Sequence, residues 1–262
     1  MSLHYLHRGS PEDPPLVFMH GLGASSDQTM SALTDLPGTW LIAPDMPGHG
    51  PATDENPDRF EFDYFADKVV DLMDKLDIEK ADVGGLSMGS GIALNIALRY
   101  SSRVNRLVLL RPSWLDQVQP AHLEIVAKVG RWIEEDPSTA WSKLESDEEF
   151  KKIQDECLGA AHSISDLLER PQDPASTRVL YKMWESKPIE KLDGLSYLSQ
   201  DTIVFDTDAD PLHPKSVAKT IADKIPQAQY ASLPPRYING LAYQTALNEA
   251  IRDFLSHQAV HA

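Results

Sequence analysis

The chain of 262 residues contains one cysteine, Cys157. A single thiol cannot form a disulfide within the chain or a Cys-x-x-Cys pair, so the sequence excludes a disulfide scaffold and a paired-cysteine metal or redox site. The nine histidines also lack the His-Glu-x-x-His spacing of a helical zinc site. We therefore expect neither a bound metal nor a cofactor.

Basic residues and long apolar runs are scarce as well. The sequence has 24 Lys and Arg against 40 Asp and Glu, which gives a formal net charge of −16. Phosphate backbones and anionic lipids repel such an acidic chain, so we exclude nucleic acids and membrane surfaces as partners. No apolar run approaches the ~18 residues of a membrane span, and the amino-terminal residues lack the apolar core of a signal peptide. These absences predict a cytoplasmic location.

What the sequence does contain is an alternation of short apolar runs and amphipathic helical stripes. The runs at 16–19 and 40–43 are bounded by turn-forming residues, which is typical of strands buried on both faces of a sheet. Residues 62–76 carry apolar side chains at helical spacing. The alternation predicts an α/β fold, with a mostly parallel open sheet and helices on both faces. We expect strands at residues 3–7, 16–19, 40–43, immediately before Ser87, and at 104–110, 202–205 and 228–233.

Residues 112–200 interrupt this alternation. They show helical stripes and no convincing strand, and they hold four of the five tryptophans, Trp114, Trp132, Trp141 and Trp184. We interpret them as a helical cap inserted after the sixth strand region, at the carboxyl edge of the sheet. The predicted domains are a core of residues 1–111 and 201–262 and a cap of residues 112–200.

The stretch Gly85-Leu86-Ser87-Met88-Gly89 lies between a short apolar run and a helical stripe. Its glycines match the Gly-x-Ser-x-Gly turn that presents a nucleophilic serine between a strand and a helix. Residues without a Cβ let the chain pass close to such a strained apex, and the helix N-terminus places backbone N–H groups beside the hydroxyl. A glycine-rich turn with an incidental serine has the same pattern, so the other loops must decide.

Two further loops follow apolar runs, His20-Gly21-Leu22-Gly23 and Asp45-Met46-Pro47-Gly48-His49-Gly50. Together with the Ser87 turn, the helical insertion and a late acidic loop, they occur in the order of the α/β-hydrolase family, which the chain resembles over nearly its whole length. The resemblance implies a serine-dependent hydrolase of a small, mainly apolar ester, thioester or related carbonyl substrate. It implies Ser87 as the nucleophile and the backbone N–H groups of Leu22 and Met88 as the oxyanion hole. Candidate substrate-pocket residues are His20, Gly21, Ser113, Trp114 and Tyr237.

The resemblance also places a catalytic acid in a loop of the form Asp-x-x-x-Pro after a late strand. Asp210-Pro211-Leu212-His213-Pro214 has this form, so we favour Asp210 as the acid. Asp208 stays open as the alternative, and both Asp206 and Asp208 also suit capping or turn positions.

The histidine that the family carries ahead of its terminal helix is absent, and the expected position falls at or near Tyr237. Tyrosine, with a pKa of ~10, is a poor general base at neutral pH. His213 shares the loop of Asp210, but we expect it to point away from Ser87. The remaining histidines offer no clear replacement: His4, His7, His20, His49, His122, His162, His257 and His261.

Two interpretations other than hydrolysis therefore stay open. A chain of this fold without its base could bind a ligand or act as a scaffold without turnover. The same scaffold also supports cofactor-free lyase chemistry. A covalent fluorophosphonate adduct on Ser87 would favour the hydrolase, and tight binding of an unhydrolysed ligand would favour the binding protein.

Overall fold

The computed structural model describes residues 3–51, 56–171 and 173–256, so His257 and His261 lie outside the described residues. Seven strands form one sheet in the order β1-β3-β2-β4-β5-β6-β7. β1 is antiparallel to β3, and every other neighbouring pair is parallel, which confirms the predicted α/β class and the mostly parallel sheet. The strands are β1 Tyr5–Arg8, β2 Pro15–Met19, β3 Trp40–Pro44, β4 Ala81–Leu86, β5 Val104–Leu110, β6 Asp201–Thr207 and β7 Gln229–Leu233.

Ten α-helices lie in the described part of the chain. They are α1 Ser26–Ala32, α2 Phe62–Lys75, α3 Met88–Arg99, α4 Glu124–Glu135, α5 Pro137–Ser146, α6 Glu148–Glu156, α7 Leu158–Ser165, α8 Pro174–Trp184, α9 Lys215–Lys224 and α10 Gly240–Ser256. None of these helices is long and apolar enough to cross a membrane.

Side chains alternate between the two faces of the sheet and so form two apolar cores. In β2, Val17 and Met19 belong to one core, and Leu16 and Phe18 belong to the other. The first core includes side chains of α2, α3 and α9, and the second includes side chains of α10. Because helices cover both faces, the ends of the strands are where polar side chains can gather.

Residues 112–200, here called the helical insertion, contain α4 to α8 and no strand among their described residues. The insertion follows β5, the fifth described strand, whereas we expected it after the sixth. Its buried side chains, including Ile125, Val129 and Leu180, belong to the same core as α2 and α3. The insertion is therefore joined to the sheet by continuous apolar packing.

The parallel strands all end at one edge of the sheet. The loops that follow β2, β4, β5 and β6 lie side by side there, since these four strands are neighbours in the sheet. They carry the His20-Gly21 loop, Ser87, residues 111–114 and the acidic loop. The fold thus brings together at one place the segments that the sequence motifs single out.

Candidate active site

Ser87 lies at the apex of the turn between β4 and α3. Its backbone has φ 55° and ψ −111°, a conformation that L-residues rarely adopt. The turn closes because its flanking residues lack side chains: a Cβ on Gly85 would collide with the Gly89 backbone, and a Cβ on Gly89 would collide with the Met19 carbonyl. The Ser87 N–H donates to the Leu110 carbonyl at 2.9 Å. The serine is therefore fixed at the N-terminus of α3.

The loop after β2 passes directly beside Ser87. A Cβ on Gly21 would lie 3.6 Å from the Ser87 Cβ, so a side chain at this position would contact the serine. The backbone N–H of Leu22 has no acceptor among the described residues, and the same holds for the N–H of Met88. Two backbone donors are thus unused next to the serine.

Two neutral histidines support this loop. His20 donates from Nδ1 to the Gly21 carbonyl at 2.8 Å and accepts at Nε2 from the Met46 N–H at 3.1 Å. His49 accepts at Nε2 from the Gly23 N–H at 3.0 Å. Burial lowers the pKa of His20 to about 4 and that of His49 well below its usual value. His20 does not line the cavity, contrary to our expectation, because both of its ring nitrogens hold backbone groups.

The loop after β6 places Asp210 between two partners. Its Oδ2 accepts a hydrogen bond from Nη1 of Arg111 at 2.6 Å. Its Oδ1 lies 2.9 Å from Nδ1 of His213, a close contact that is off the axis of a good hydrogen bond. Burial opposes ionisation of Asp210, but His213 and Arg111 outweigh it and hold the pKa of the carboxyl well below its ordinary value. Asp210 is therefore an anion.

His213 lines the same cavity as Ser87, with 9% of its side chain exposed. Its Nε2 has no hydrogen-bond partner among the described residues. Burial lowers the pKa of His213 more than Asp210 raises it, so the ring is neutral at pH 7. We expected His213 to point away from Ser87, whereas it lines the same cavity as the serine. The His213 N–H donates to the Asp210 carbonyl at 3.1 Å, and this turn folds the ring back over the carboxylate.

The other two aspartates of the loop lie elsewhere. Asp208, the alternative acid, is 64% exposed and pairs with Lys215 at 2.7 Å. Asp206 is buried and accepts a hydrogen bond from the Tyr230 hydroxyl. Neither contacts a histidine in the described part of the chain, whereas Asp210 does.

Ser113 links Ser87 to the loop after β6. Its Oγ lies 3.3 Å from the Ser87 Oγ and donates to the Leu212 carbonyl at 3.0 Å. Because that carbonyl takes the Ser113 proton, Ser87 is the donor within the serine pair. His122 donates from Nε2 to the Ser113 carbonyl at 2.9 Å, and burial lowers the pKa of His122 to about 4. Ser113 is buried and does not line the cavity, contrary to our expectation, but it contacts Ser87 directly.

Tyr237 and Trp114 both line the cavity. The Tyr237 hydroxyl lies 3.4 Å from the Ser163 Oγ in the insertion, and its ring packs so closely on α7 that a Cβ on Gly159 would collide with it. Burial raises the pKa of Tyr237, so the phenolate, the form that could act as a base, is still less populated at neutral pH. Trp114 packs edge-on against Phe62, with 5.5 Å between ring centroids. Both aromatic residues therefore form part of the cavity wall.

The cavity has a volume of about 240 Å³. Its polar lining includes Ser87, His213, Arg111 and Arg236, together with Gln28, Ser163 and Asp166. The helical insertion supplies a mainly apolar part that includes Leu123, Val126, Ile164 and Leu167. Of the residues predicted from the sequence, Gly21, Leu22, Ser87, Trp114 and Tyr237 line it.

The polar residues of the cavity that sequence reasoning missed include His213, Arg111 and Arg236. His213 stands within the quoted Asp210-Pro211-Leu212-His213 stretch, so a signal was present, but its direction was misjudged. Arg111 pairs with Asp210 across the parallel β5 and β6 strands, and no local pattern reports such a pairing.

Comparison with known proteins defines the class. The family model described as alpha/beta hydrolase fold matches residues 14–236. The chain belongs to this family, as the motifs and the sheet order indicate.

Individual relatives agree with the family. The 2-hydroxymuconate semialdehyde hydrolase of Pseudomonas sp. strain CF600 is 28% identical over 231 residues, which are 82% of this chain and 77% of that protein. A meta-cleavage product hydrolase from Pseudomonas fluorescens IP01 superposes with a TM-score of 0.73 at 20% identity, over 96% of this chain and 93% of the other. A thermophilic esterase from Thermogutta terrifontis has a TM-score of 0.73 at 20% identity, over 97% and 92%. The two structures show the fold alone, while the sequence relative supports a hydrolase in the general sense.

Proposed function

We propose that this protein is a serine-dependent hydrolase in which Ser87 is the nucleophile, His213 the general base and Asp210 the acid that orients the base. The observation that carries the proposal is the 2.9 Å contact between His213 Nδ1 and Asp210 Oδ1, at the cavity that Ser87 lines. This contact provides a candidate base in a chain that has Tyr237 at or near the position where the family usually carries its catalytic histidine.

In this mechanism Ser87 gives its proton to Nε2 of His213 while its Oγ attacks the substrate carbonyl carbon. Asp210 stabilises the imidazolium that forms. His213 then passes the proton to the leaving alcohol or thiol, and an acyl-serine remains. A water molecule, deprotonated by the same ring, attacks the acyl carbon and releases a carboxylic acid and free Ser87. Ser87 exchanges its contact with Ser113 for one with His213 as the substrate binds.

The N–H groups of Leu22 and Met88 would form the oxyanion hole. Their lack of other acceptors supports this role, because a preorganised donor must be free when the charge develops. Two such donors stabilise the transition state by roughly 3–4 kcal/mol each.

We extend the proposal to the substrate and the domains. The helical insertion, residues 112–200, acts as a cap on a core of residues 1–111 and 201–262. Its apolar cavity lining favours a small, mainly apolar acyl group, as an ester, thioester or related carbonyl compound. The sequence relative named above, a semialdehyde hydrolase, is consistent with a small carbonyl substrate. A cytoplasmic location belongs to the same proposal.

Turnover of 4-nitrophenyl butyrate and labelling by a fluorophosphonate test the mechanism. We expect Ser87→Ala and His213→Gln each to lower kcat by about 10³-fold or more. Tyr237→Phe should retain activity, since the phenol is not the base. His162→Gln, which changes an exposed histidine of α7, is the matched control and should behave as the wild type.

Three results would contradict the proposal. Wild-type protein that neither hydrolyses the ester nor forms an adduct on Ser87, yet binds ligands tightly, would favour the binding protein. Loss of activity in Tyr237→Phe but not in His213→Gln would assign the base to the tyrosine. Formation of products without one equivalent of carboxylic acid would indicate lyase chemistry.

A further inference from the structure

A second cavity, of about 280 Å³, adjoins the cavity that contains Ser87. The two cavities share four lining residues, Gln28, Leu86, Arg111 and Arg236. Among the described residues, the only charged side chains that line the second cavity are Arg111 and Arg236, and no carboxylate lines it. This space, which we call the arginine cavity, is cationic in a chain whose net charge is −16.

Arg111, which lines this cavity, has donors that no protein group uses. Its Nη1 donates to Asp210, while Nε and Nη2 are buried and have no partner in the described part of the chain. Nε and Nη2 form one side of the planar guanidinium, where two parallel N–H bonds match the two oxygens of a carboxylate. The Asp210 ion pair therefore holds the guanidinium in place and leaves a bidentate fork for another anion.

Two more groups add to this fork. Tyr243 of α10 lines the arginine cavity, and its hydroxyl is also buried without a partner among the described residues. The guanidinium carbon of Arg111 lies 5.7 Å from the Tyr243 ring centroid. Arg236 stacks on Tyr237 at 5.1 Å and forms no ion pair with any described residue. Unpaired donors and an unpaired positive charge thus converge on one cavity.

A purely structural role explains only part of this arrangement. Orienting Asp210 requires Nη1 of Arg111, but it does not require a free Nε and Nη2, a partnerless Tyr243 hydroxyl or a second arginine without an acid. Buried polar groups in native proteins are nearly always paired, so donors left unpaired together at a cavity indicate a ligand.

We propose that the arginine cavity binds a carboxylate group of the substrate while the reacting carbonyl lies at Ser87. The substrate is then an ester or thioester whose acyl chain ends in a carboxylate, such as a half-ester of a dicarboxylic acid. Leu86, which lines both cavities, packs on the methylene groups between the two ends. Arg236 is partly exposed and Arg111 is buried, so an entering carboxylate meets Arg236 first. The position of the reacting carbonyl rests on the proposed function, whereas the carboxylate site does not.

The first test compares two substrates that differ only in charge: 4-nitrophenyl hydrogen glutarate and its methyl ester. We expect the wild type to hydrolyse the carboxylate form with a kcat/KM at least about tenfold higher, mainly through KM. Arg236→Gln and Tyr243→Phe should lower this ratio toward one. Arg252→Gln is the matched control, since Arg252 also belongs to α10 but is exposed and pairs with Asp35. An equal or reversed ratio in the wild type, or a ratio that Arg236→Gln leaves unchanged, would overturn the inference and leave the hydrolase standing.

The second test measures binding without turnover. Ser87→Ala protein is titrated calorimetrically with glutarate, with the neutral diamide glutaramide and with inorganic phosphate. We expect glutarate to bind, glutaramide not to bind, and Arg236→Gln in the same background to weaken glutarate at least about tenfold. If no ester is hydrolysed but glutarate binds in this way, the carboxylate site stands and the proposed hydrolase fails. Binding of phosphate without binding of glutarate would overturn the carboxylate assignment.

Discussion

Nη1 of Arg111 lies 2.6 Å from Oδ2 of Asp210, and neither side chain has any exposed surface. The pair joins the ends of β5 and β6 at the edge of the sheet where Ser87 lies. Buried ions of opposite charge are tolerated because each replaces the water that the other has lost, and removing one strands its partner. This pair therefore connects the stability of the fold to the geometry of the site.

Arg111→Met should destabilise the protein by about 3–5 kcal/mol, because it leaves the buried Asp210 carboxylate with the neutral His213 as its side-chain partner and without a compensating charge. The double variant Arg111→Met/Asp210→Leu should recover much of that loss. Urea unfolding measures both values. As a control, Arg252→Met breaks an exposed pair and should cost less than about 1 kcal/mol. A double variant no more stable than the single one would argue against a stranded charge.

The pH dependence of kcat/KM should reflect His213. Burial lowers the pKa of this ring below 6.5, and a general base must be neutral, so activity should be flat at neutral pH and decrease only below about pH 6.5. Asp210→Asn removes the negative charge that raises the pKa of His213. The acid limb of this variant should therefore move to still lower pH, and its rate should fall. A wild-type acid limb above pH 6.5 would contradict His213 as the base. His122→Gln should keep the wild-type limb.

Stability should depend on pH through the histidines that are buried in neutral form. Burial lowers the pKa of His20 and of His122 to about 4, so their contribution is complete above pH 6.5 and is lost as the pH falls toward 4. Each adds a slope of about 1.4 kcal/mol per pH unit to the free energy of unfolding in that window. Urea unfolding at several pH values should show a shallower slope for His122→Gln. An unchanged slope would mean that His122 is protonated in the folded state.

Gly89→Ala should abolish folding of the Ser87 turn, because the added Cβ would meet the Met19 carbonyl. We expect loss of fluorophosphonate labelling and destabilisation by several kcal/mol or no soluble protein. Gly194→Ala is the control, since a Cβ at Gly194 meets nothing within 4 Å. Normal labelling of Gly89→Ala would show that the turn tolerates a side chain.

Elements that are buried on both sides could be predicted from the sequence, because a short apolar run bounded by turn-forming residues indicates them. The strand at 104–110 and the turn around Ser87 are of this kind. Helix α5 was not predicted, since only Ala140 and Leu144 are buried in it and they form no clear stripe. The loop that begins at His20-Gly21 has a local motif, but the roles of its side chains depend on their tertiary contacts. His20 holds the backbone of Gly21 and Met46, and for that reason the prediction that it lines the cavity was wrong.

Contacts between side chains that are distant in the sequence could not be predicted, for a different reason. The contact of Arg111 with Asp210 depends on the register of β5 against β6, and the direction of the His213 ring depends on one backbone turn. Neither the strand register nor this turn produces a periodic pattern in the sequence. The site residues predicted from motifs thus define where the candidate site lies, while the tertiary structure is needed to find the histidine that we propose as its base.

Asp210 and His213 lie three residues apart in one loop, whereas the family pattern takes these groups from loops after two different strands. A contact of such short span costs little chain entropy and forms together with its own turn. In the proposed mechanism the loop after β7, which carries Arg236 and Tyr237, holds no base and contributes only lining residues to the cavity. The proposed pair for proton transfer and the residues of the β7 loop that would meet the substrate thus belong to different loops.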